Sequence, residues 1–199
     1  MEDSFKLVAI TPEDNFSDEI KYITKILDSG FAYVHIRKPK MNAEELKDFI
    51  HQIPQAYHPR LKLNDHPQLI ESFNLGGIHI NSRTCNYPQN GPFKLSKSTH
   101  SFEELNDIAK YEYVFLSPIF DSISKNGYMS HFDNASLLNA RGNGLINEKV
   151  FALGGVDATK IQYLKETGFG GAAFLGYLFK APNEIELEKR IKAIINQIN

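Results

Sequence analysis

The chain of 199 residues is long enough for one sizeable hydrophobic core, and we expect a single domain that spans residues 1–199. Hydrophobic residues make up 42% of the sequence, charged residues make up 23%, and the formal net charge is -2, which argues against a disordered chain and against a basic nucleic-acid-binding surface. The sequence has one cysteine, Cys85, an acidic start, and no apolar run near the roughly 20 residues that cross a bilayer, so we expect a cytoplasmic protein without a nucleic-acid or membrane partner.

Short runs rich in β-branched and aromatic residues alternate with amphipathic segments along the chain. This alternation is typical of parallel strands joined by crossover helices. The eight predicted strands are residues 6–11, 32–37, 60–64, 76–80, 93–98, 113–117, 150–155 and 170–176. Eight strands in a chain of this length predict an α/β fold, a compact (β/α)8 TIM barrel, with a doubly wound open sheet as the alternative.

Helical spacing of apolar residues predicts helices after the first and second strands, and capping signals predict three more, after the fifth, seventh and eighth strands. The residues that mark the ends of these predicted helices are Gly30, Pro54, Ser101 with Glu104, Asp157, Gly168 and Asn183. Residues 81–92 have the composition of a loop. We therefore expect the helix between the fourth and fifth strands to be missing or irregular.

Polar residues stand at or just beyond the carboxyl ends of the predicted strands. In a barrel these ends meet on one face, which carries the active site. Side chains alternate between the two faces of a strand, so His35 and Lys62 should point into the barrel while the apolar residues next to them in each strand point outward. The residues expected at the mouth of the barrel are His35, Arg37, Asn64, Asp65, His79, Ser98, Ser117 and Lys125.

Two late strand ends carry glycines, in "ALGGV" and "AFLGY". Backbone N–H groups at Gly154, Gly155, Leu175 and Gly176 are predicted to bind a phosphate group, as late strand ends in barrels often do. The alternative is that these glycines only satisfy the conformation of tight strand exits.

Other polar motifs predict an anionic ligand. Arg37 offers a planar cation that suits a phosphate group, and Asn64 with Asp65 could hold a hydrated Mg²⁺, although this pair is equally typical of a turn. The seven histidines lack the spacing of a zinc site, so we expect them to be packed or solvent-linked. Ser98, Ser122 and Ser124 have no neighbouring His and Asp of a hydrolase triad in the sequence.

Seven motifs, in this order and spacing, resemble the thiamine phosphate synthase/TenI family from about Val8 to Phe179. The motifs are "YVHIRKP", "LKLNDHP", "GGIHI", "SKSTHS", "YVFLSPIFDSISKNGY", "FALGGV" and "AAFLGYLF". The resemblance implies a transferase of thiamine biosynthesis on a (β/α)8 barrel. In the synthase reaction, hydroxymethylpyrimidine diphosphate couples to thiazole phosphate and pyrophosphate leaves, with help from Mg²⁺.

The resemblance also implies roles for individual residues. Catalytic contacts to the diphosphate would come from Arg37, Ser98 and Lys125, with Asp65 as the metal ligand. The substrate-binding residues would be His35, Asn64, Ser122, Ser124, Gly154, Gly155, Leu175 and Gly176. The expected partners are the small phosphorylated substrates and, in a homodimer, a second copy of the chain.

Several positions depart from the family pattern. His35 stands where the synthase usually has Gln, Pro39 where it has a diphosphate-binding Lys, and Thr84 where it has a second metal-binding Asp. The catalytic histidine of the TenI branch falls at Pro118, which can transfer no proton. The expected function is therefore the synthase reaction with a weakened Mg²⁺ site, and the alternatives are a TenI-like thiazole phosphate tautomerase, another phosphosugar-barrel isomerase, or a non-catalytic thiazole phosphate binder.

Overall fold

In the computed structural model, which describes residues 5–84, 86–121 and 132–198, eight parallel strands close into a barrel. The strands are β1 (Lys6–Ile10), β2 (Tyr33–Ile36), β3 (Leu61–Leu63), β4 (Gly77–Ile80), β5 (Lys94–Thr99), β6 (Tyr113–Leu116), β7 (Val150–Ala152) and β8 (Gly171–Phe174). Each strand pairs with the next, and β8 returns to β1, where Leu7 lies opposite Ala172. This closure confirms the (β/α)8 prediction and excludes the open-sheet alternative.

Six α-helices accompany the strands in the described ranges. They are α1 (Glu19–Asp28), α2 (Ala43–His51), α3 (Asn134–Gly142), α4 (Ile161–Glu166), α5 (Gly176–Phe179) and α6 (Glu184–Ile195). The predicted caps are formed where the side chain of Asn183 accepts a hydrogen bond from the backbone of Glu186 and where Asp157 caps the turn ahead of α4. None of the helices in these ranges is long and apolar enough to cross a membrane.

The predicted helices differ from the structure at two places. The helix expected after Ser101 is only a short 3₁₀ turn, Glu103–Leu105, because the Asn106 side-chain amide donates to the Glu103 carbonyl, which a longer helix would use for its own hydrogen bonds. Helix α3 was not predicted, although Asp133 caps it by accepting from the backbone N–H of Ser136 at 2.7 Å. The described residues of 81–92 contain no helix, as predicted.

The alternation of side chains along the strands separates two packing regions. Val34, Ile36, Leu61 and Leu63 belong to the large apolar layer that packs under the helices. The residues between them, His35 and Lys62, are fully buried inside the barrel. A smaller interior cluster consists of Val8, Ile10, Tyr113, Phe115, Phe151 and Ala173. The predicted inward orientation of His35 and Lys62 is therefore confirmed.

An ion-pair cluster closes the amino end of the barrel, opposite the predicted site. The Lys62 Nζ lies 2.8 Å from Glu112 Oε2, and the Tyr33 hydroxyl donates to Glu112 Oε1 at 2.8 Å. Lys94 Nζ also contacts Glu112 Oε1 at 2.9 Å. Burial raises the pKa of Glu112, but the charge and hydrogen bonds of Lys62, with those of its other partners, leave the pKa lowered. A charged plug therefore forms the floor of the barrel.

Candidate functional site

The predicted site residues of the described ranges lie where strands end on one face of the barrel. Arg37 follows the last residue of β2, Asn64 follows the last residue of β3, and Ser98 is the penultimate residue of β5. Gly154 and Gly176 each stand two residues beyond a neighbouring pair of strands, β7 and β8. Because all eight strands are parallel and the sheet is closed, these positions form one rim.

His35 lies under the rim and orients Asn64. The Asn64 Oδ1 is an acceptor 3.0 Å from His35 Nδ1, so that ring nitrogen donates and His35 Nε2 accepts from the Tyr113 hydroxyl at 2.5 Å. Burial, with the nearby His79 and Lys62, lowers the pKa of His35 well below its usual value. The ring is therefore neutral, and both of its nitrogens have partners inside the protein.

A second buried histidine, His79, supports Ser98. Its Nδ1 lies 3.0 Å from Ser96 Oγ and its Nε2 lies 2.8 Å from Ser98 Oγ. Burial, with the charges of Lys62 and Arg83, lowers the pKa of His79 to about 3. The ring is therefore neutral at physiological pH and holds the hydroxyl of Ser98 in place.

His35 and His79 are buried, packed side chains. The ring centroids of His35 and His79 are 4.9 Å apart, and both rings pack on Phe115. His100, directly after β5, is exposed, and its Nδ1 lies 3.0 Å from the Ser117 carbonyl oxygen. In the part of the chain that the structure describes, no group of three or more His, Cys, Asp or Glu could hold a metal ion.

Asp65, the predicted Mg²⁺ ligand, is already bound by protein groups on two sides. Its Oδ2 accepts from the backbone N–H of Lys38 at 2.9 Å, and its Oδ1 lies 3.2 Å from both Nε and Nη2 of Arg83. The Arg83 backbone N–H donates to Asn81 Oδ1, and Asn81 Nδ2 donates to the Asn64 carbonyl. Asp65 and Arg83 thus tie together the loops after β2, β3 and β4.

The donor set at Asp65 does not fit Mg²⁺. This ion usually needs oxygen ligands at about 2.0–2.1 Å in an octahedral arrangement, with carboxylates among them. The one carboxylate at this point is paired with the guanidinium of Arg83. Thr84, where the resemblance implies a second carboxylate, donates its hydroxyl to the His79 carbonyl at 3.2 Å. The guanidinium of Arg83 therefore occupies the position beside Asp65 that a metal ion would need.

The cations in "HIRKPK" have different surroundings. Arg37 Nη2 lies 2.8 Å from Glu13 Oε1, at a partly exposed position on the rim. Lys38 is fully buried, and its Nζ contacts Glu19 Oε1 at 2.6 Å and the Pro12 carbonyl at 3.0 Å. Lys40 is exposed and pairs with Asp14. Lys38 is thus a structural cation, which leaves Arg37 as the rim cation of this segment.

The glycines after β7 are required by local geometry. Gly154 has φ +96° and Gly155 has φ +64°, a region that L side chains rarely adopt. A Cβ at Gly154 would lie 2.8 Å from Pro118 Cα, and one at Gly155 would lie 2.5 Å from the Asp121 carbonyl oxygen. The turn explanation therefore accounts for both glycines, and phosphate binding at these residues and at Leu175 and Gly176 stays a prediction.

Three predicted residues, Ser122, Ser124 and Lys125, lie outside the described residues. Two residues that sequence reasoning left out of the site now have contacts in it. Arg83 lies in a loop without periodicity, so no pattern pointed to it. Tyr113 has the same strand parity as Phe115, and this parity could have indicated that its hydroxyl faces the interior.

The chain matches the family described as "Thiamine monophosphate synthase" over residues 7–178. It is 25% identical over 181 residues to a thiamine-phosphate synthase of Bacteroides fragilis, covering 83% of this chain and 87% of that protein. It is 27% identical over 177 residues to a thiamine-phosphate synthase of Cronobacter sakazakii, covering 83% of each chain.

Solved structures show the same architecture. A thiamine phosphate pyrophosphorylase from Bacteroides thetaiotaomicron superposes with a TM-score of 0.87 at 33% identity, covering 97% of both chains. A thiamine phosphate pyrophosphorylase from Pyrococcus furiosus superposes with a TM-score of 0.74 at 16% identity, covering 98% of this chain and 95% of that chain, a likeness that shows the fold alone.

Proposed function

We propose that the rim of the barrel carries out the synthase reaction, because the chain belongs to the thiamine monophosphate synthase family and is a thiamine-biosynthesis transferase of that type. It joins hydroxymethylpyrimidine diphosphate to thiazole phosphate and releases pyrophosphate. One observation carries this proposal: the family match runs from β1 into α5, and Arg37, Asn64 and Ser98 stand at the carboxyl ends of β2, β3 and β5 within it, on one face of the barrel.

The reaction is a dissociative substitution. The bond between the pyrimidine methylene carbon and the diphosphate oxygen breaks, and the diphosphate leaves with the electron pair as pyrophosphate. The thiazole nitrogen then donates its lone pair to the pyrimidinyl methyl cation and forms the new C–N bond. The protein accelerates this reaction by stabilising the departing negative charge and by holding the nucleophile in line.

Arg37 and Ser98 bind the diphosphate in this proposal. With the Nε2–H tautomer, neutral His79 donates to Ser98 Oγ, which leaves the Ser98 proton free for a phosphate oxygen. The guanidinium of Arg37 would exchange its contact with Glu13 for the diphosphate. Lys125, Ser122 and Ser124 belong to the same proposal from the family pattern and lie outside the described residues.

His35 and Asn64 act together on the pyrimidine side. Because Asn64 Oδ1 accepts from His35, the Asn64 amino group is left to donate to the substrate. Both ring nitrogens of His35 are already bonded, so His35 positions Asn64. Gly154, Gly155, Leu175 and Gly176 would hold the thiazole phosphate through backbone N–H groups at the ends of β7 and β8.

No step of this proposal passes through Mg²⁺, because the carboxylate of Asp65 is engaged by Arg83 and Lys38. The metal expected from the resemblance at Asp65 thus stays a prediction that the donor set does not support. The cytoplasmic location and the homodimer also stay predictions.

The test is to incubate the full chain with both substrates and to measure thiamine phosphate and pyrophosphate. Ser98→Ala should lower kcat/KM at least roughly tenfold, because it removes a donor to the leaving group. Ser29→Ala is the matched control: this part-buried serine donates to the Lys25 carbonyl at the end of α1, at the amino end of the barrel.

The outcome also separates the alternatives. Formation of equal amounts of thiamine phosphate and pyrophosphate supports the proposal. Interconversion of thiazole phosphate tautomers without coupling would favour the tautomerase, and thiazole phosphate binding without either reaction would favour the binder. Both of these results contradict the synthase proposal.

A further inference from the structure

The ion pair between Arg83 and Asp65 places a fixed cation at the rim. The Asp65 side chain is only 8% exposed, whereas the Arg83 side chain is 45% exposed. The carboxylate is thus a buried anchor, and the guanidinium extends from it toward solvent. A guanidinium has five N–H donors, and the contacts with Asp65 use Nε and Nη2, so the Nη1 amino group and the second Nη2 hydrogen can bind a further anion.

The backbone also fixes where this cation stands. Arg83 follows β4, which pairs with β3 on one side and β5 on the other. The Arg83 N–H donates to Asn81 Oδ1 at 2.9 Å, and Asn81 Nδ2 donates to the Asn64 carbonyl at 2.9 Å. The loop therefore holds Arg83 between the strand end that carries Asn64, proposed to bind the pyrimidine, and the one that carries Ser98, proposed to bind the diphosphate.

We propose that Arg83 takes the place of a divalent cation in this protein, so that the diphosphate group binds to a guanidinium and needs no Mg²⁺. The inference rests on the proposed function for its ligand, a diphosphate ester. A guanidinium forms paired, charge-assisted hydrogen bonds with phosphate oxygens, and it cannot lose its proton under physiological conditions. Asp65 positions this cation by accepting from Nε and Nη2, and does not itself bind a metal.

The residue beside Arg83 supports the same conclusion. Thr84 uses its hydroxyl within the loop, donating to the His79 carbonyl at 3.2 Å. A divalent ion at this point would have to displace Arg83 from Asp65, and it would gain one carboxylate in place of the two that the family pattern provides. Thr84 thus supplies no carboxylate at this point, and Arg83 occupies the one carboxylate that is there.

The test is calorimetric binding of inorganic pyrophosphate to the full chain in EDTA and in Mg²⁺. We expect binding in EDTA, with the Kd raised roughly tenfold or more by Arg83→Ala, because hydrogen bonds to a charged group are lost. Arg83→Lys keeps the charge without the planar fork and should fall between the two. Lys47→Ala is the control, since Lys47 is an exposed cation on α2 whose partner is Glu44.

A second pair of variants tests the exchange directly. Arg83→Ala combined with Thr84→Asp frees Asp65 and adds a carboxylate, so pyrophosphate binding by this variant should become dependent on Mg²⁺. Binding by the unaltered chain that requires Mg²⁺, or an Arg83→Ala variant that binds pyrophosphate in EDTA as well as the unaltered chain, would overturn the inference.

Failure of the inference and failure of the proposed function give different results. If pyrophosphate binds in EDTA through Arg83 and no thiamine phosphate forms from the two substrates, the inference holds and the proposed reaction is wrong. If thiamine phosphate forms only with Mg²⁺ and Arg83→Ala has no effect on pyrophosphate binding, the proposed reaction holds and the inference is wrong.

Discussion

The buried, neutral state of His79 predicts how the stability of the barrel responds to acid. Its pKa is about 3 in the folded protein and about 6.5 in an unfolded chain. The unfolded state therefore binds more protons than the folded state below about pH 6.5. The contribution of neutral His79 to the free energy of unfolding is therefore fully present above that pH and is lost as the pH falls toward about 3.

The size of this effect follows from the two pKa values. Between pH 7 and pH 5, one histidine with these values lowers the free energy of unfolding by about 2 kcal/mol. His35 contributes a loss in the same direction, because burial also lowers its pKa. His79→Gln keeps an amide that can bond to Ser98 but removes the titrating ring, so its loss between pH 7 and pH 5 should be smaller by about 2 kcal/mol.

Urea unfolding followed by circular dichroism at pH 7 and pH 5 measures both losses. The comparison uses the change with pH within each protein, so the cost of the substitution itself cancels. Phe115→Leu is the control, because it disturbs packing against the His79 ring without removing a titratable group. Equal pH-dependent losses in the unaltered chain and in His79→Gln would refute the assignment of a buried neutral histidine.

Three further predictions concern single positions. Gly155→Ala should destabilise the protein by at least about 1 kcal/mol more than Gly144→Ala in urea unfolding, because both residues have positive φ but only Gly155 has a backbone atom within 3 Å of an added Cβ; equal losses would contradict this. Lys38→Met should cost about 3 kcal/mol in the same assay, since it strands a buried carboxylate, and a loss below 1 kcal/mol would argue against a tight pair. Glu13→Gln should tighten pyrophosphate binding by up to about fivefold in calorimetry, because the carboxylate competes for Arg37; weaker binding would be the contrary result.

The barrel could be predicted from the sequence because each strand carries its own local signal. Alternation around His35 and Lys62 assigned these side chains to the interior, since polar groups cannot pack in the layer under the helices. Helix α3 escaped prediction because its sequence, NASLLNARG, buries only Leu137 and Ala140 and is rich in residues that also favour turns.

The candidate site could be predicted only in part, because some contacts depend on loops that no period describes. Asp65 was identified as a polar strand end, but its partner Arg83 lies 18 positions away in a segment without a regular element. The same holds for Glu13 and Arg37, which meet across two neighbouring strand ends. Residue types indicated that anions and cations gather at the rim, whereas their pairing depends on the conformation of the loops after the strands.

A column of side chains along the barrel axis sets the direction of the hydrogen bonds at the rim, and this column begins at the floor of the barrel. The Tyr113 ring lies 4.9 Å from the Lys62 Nζ of the floor plug, and its hydroxyl contacts His35, which in turn contacts Asn64. Burial raises the pKa of Tyr113 well above its ordinary value, so its hydroxyl keeps its proton and donates upward. The Tyr113 hydroxyl donates to His35 Nε2, and His35 Nδ1 donates to Asn64 Oδ1. The side-chain amide of Asn64 therefore presents N–H rather than oxygen to the ligand. To make this pocket bind a ligand that donates a hydrogen bond at this point, one must therefore change Tyr113 and His35 as well as Asn64.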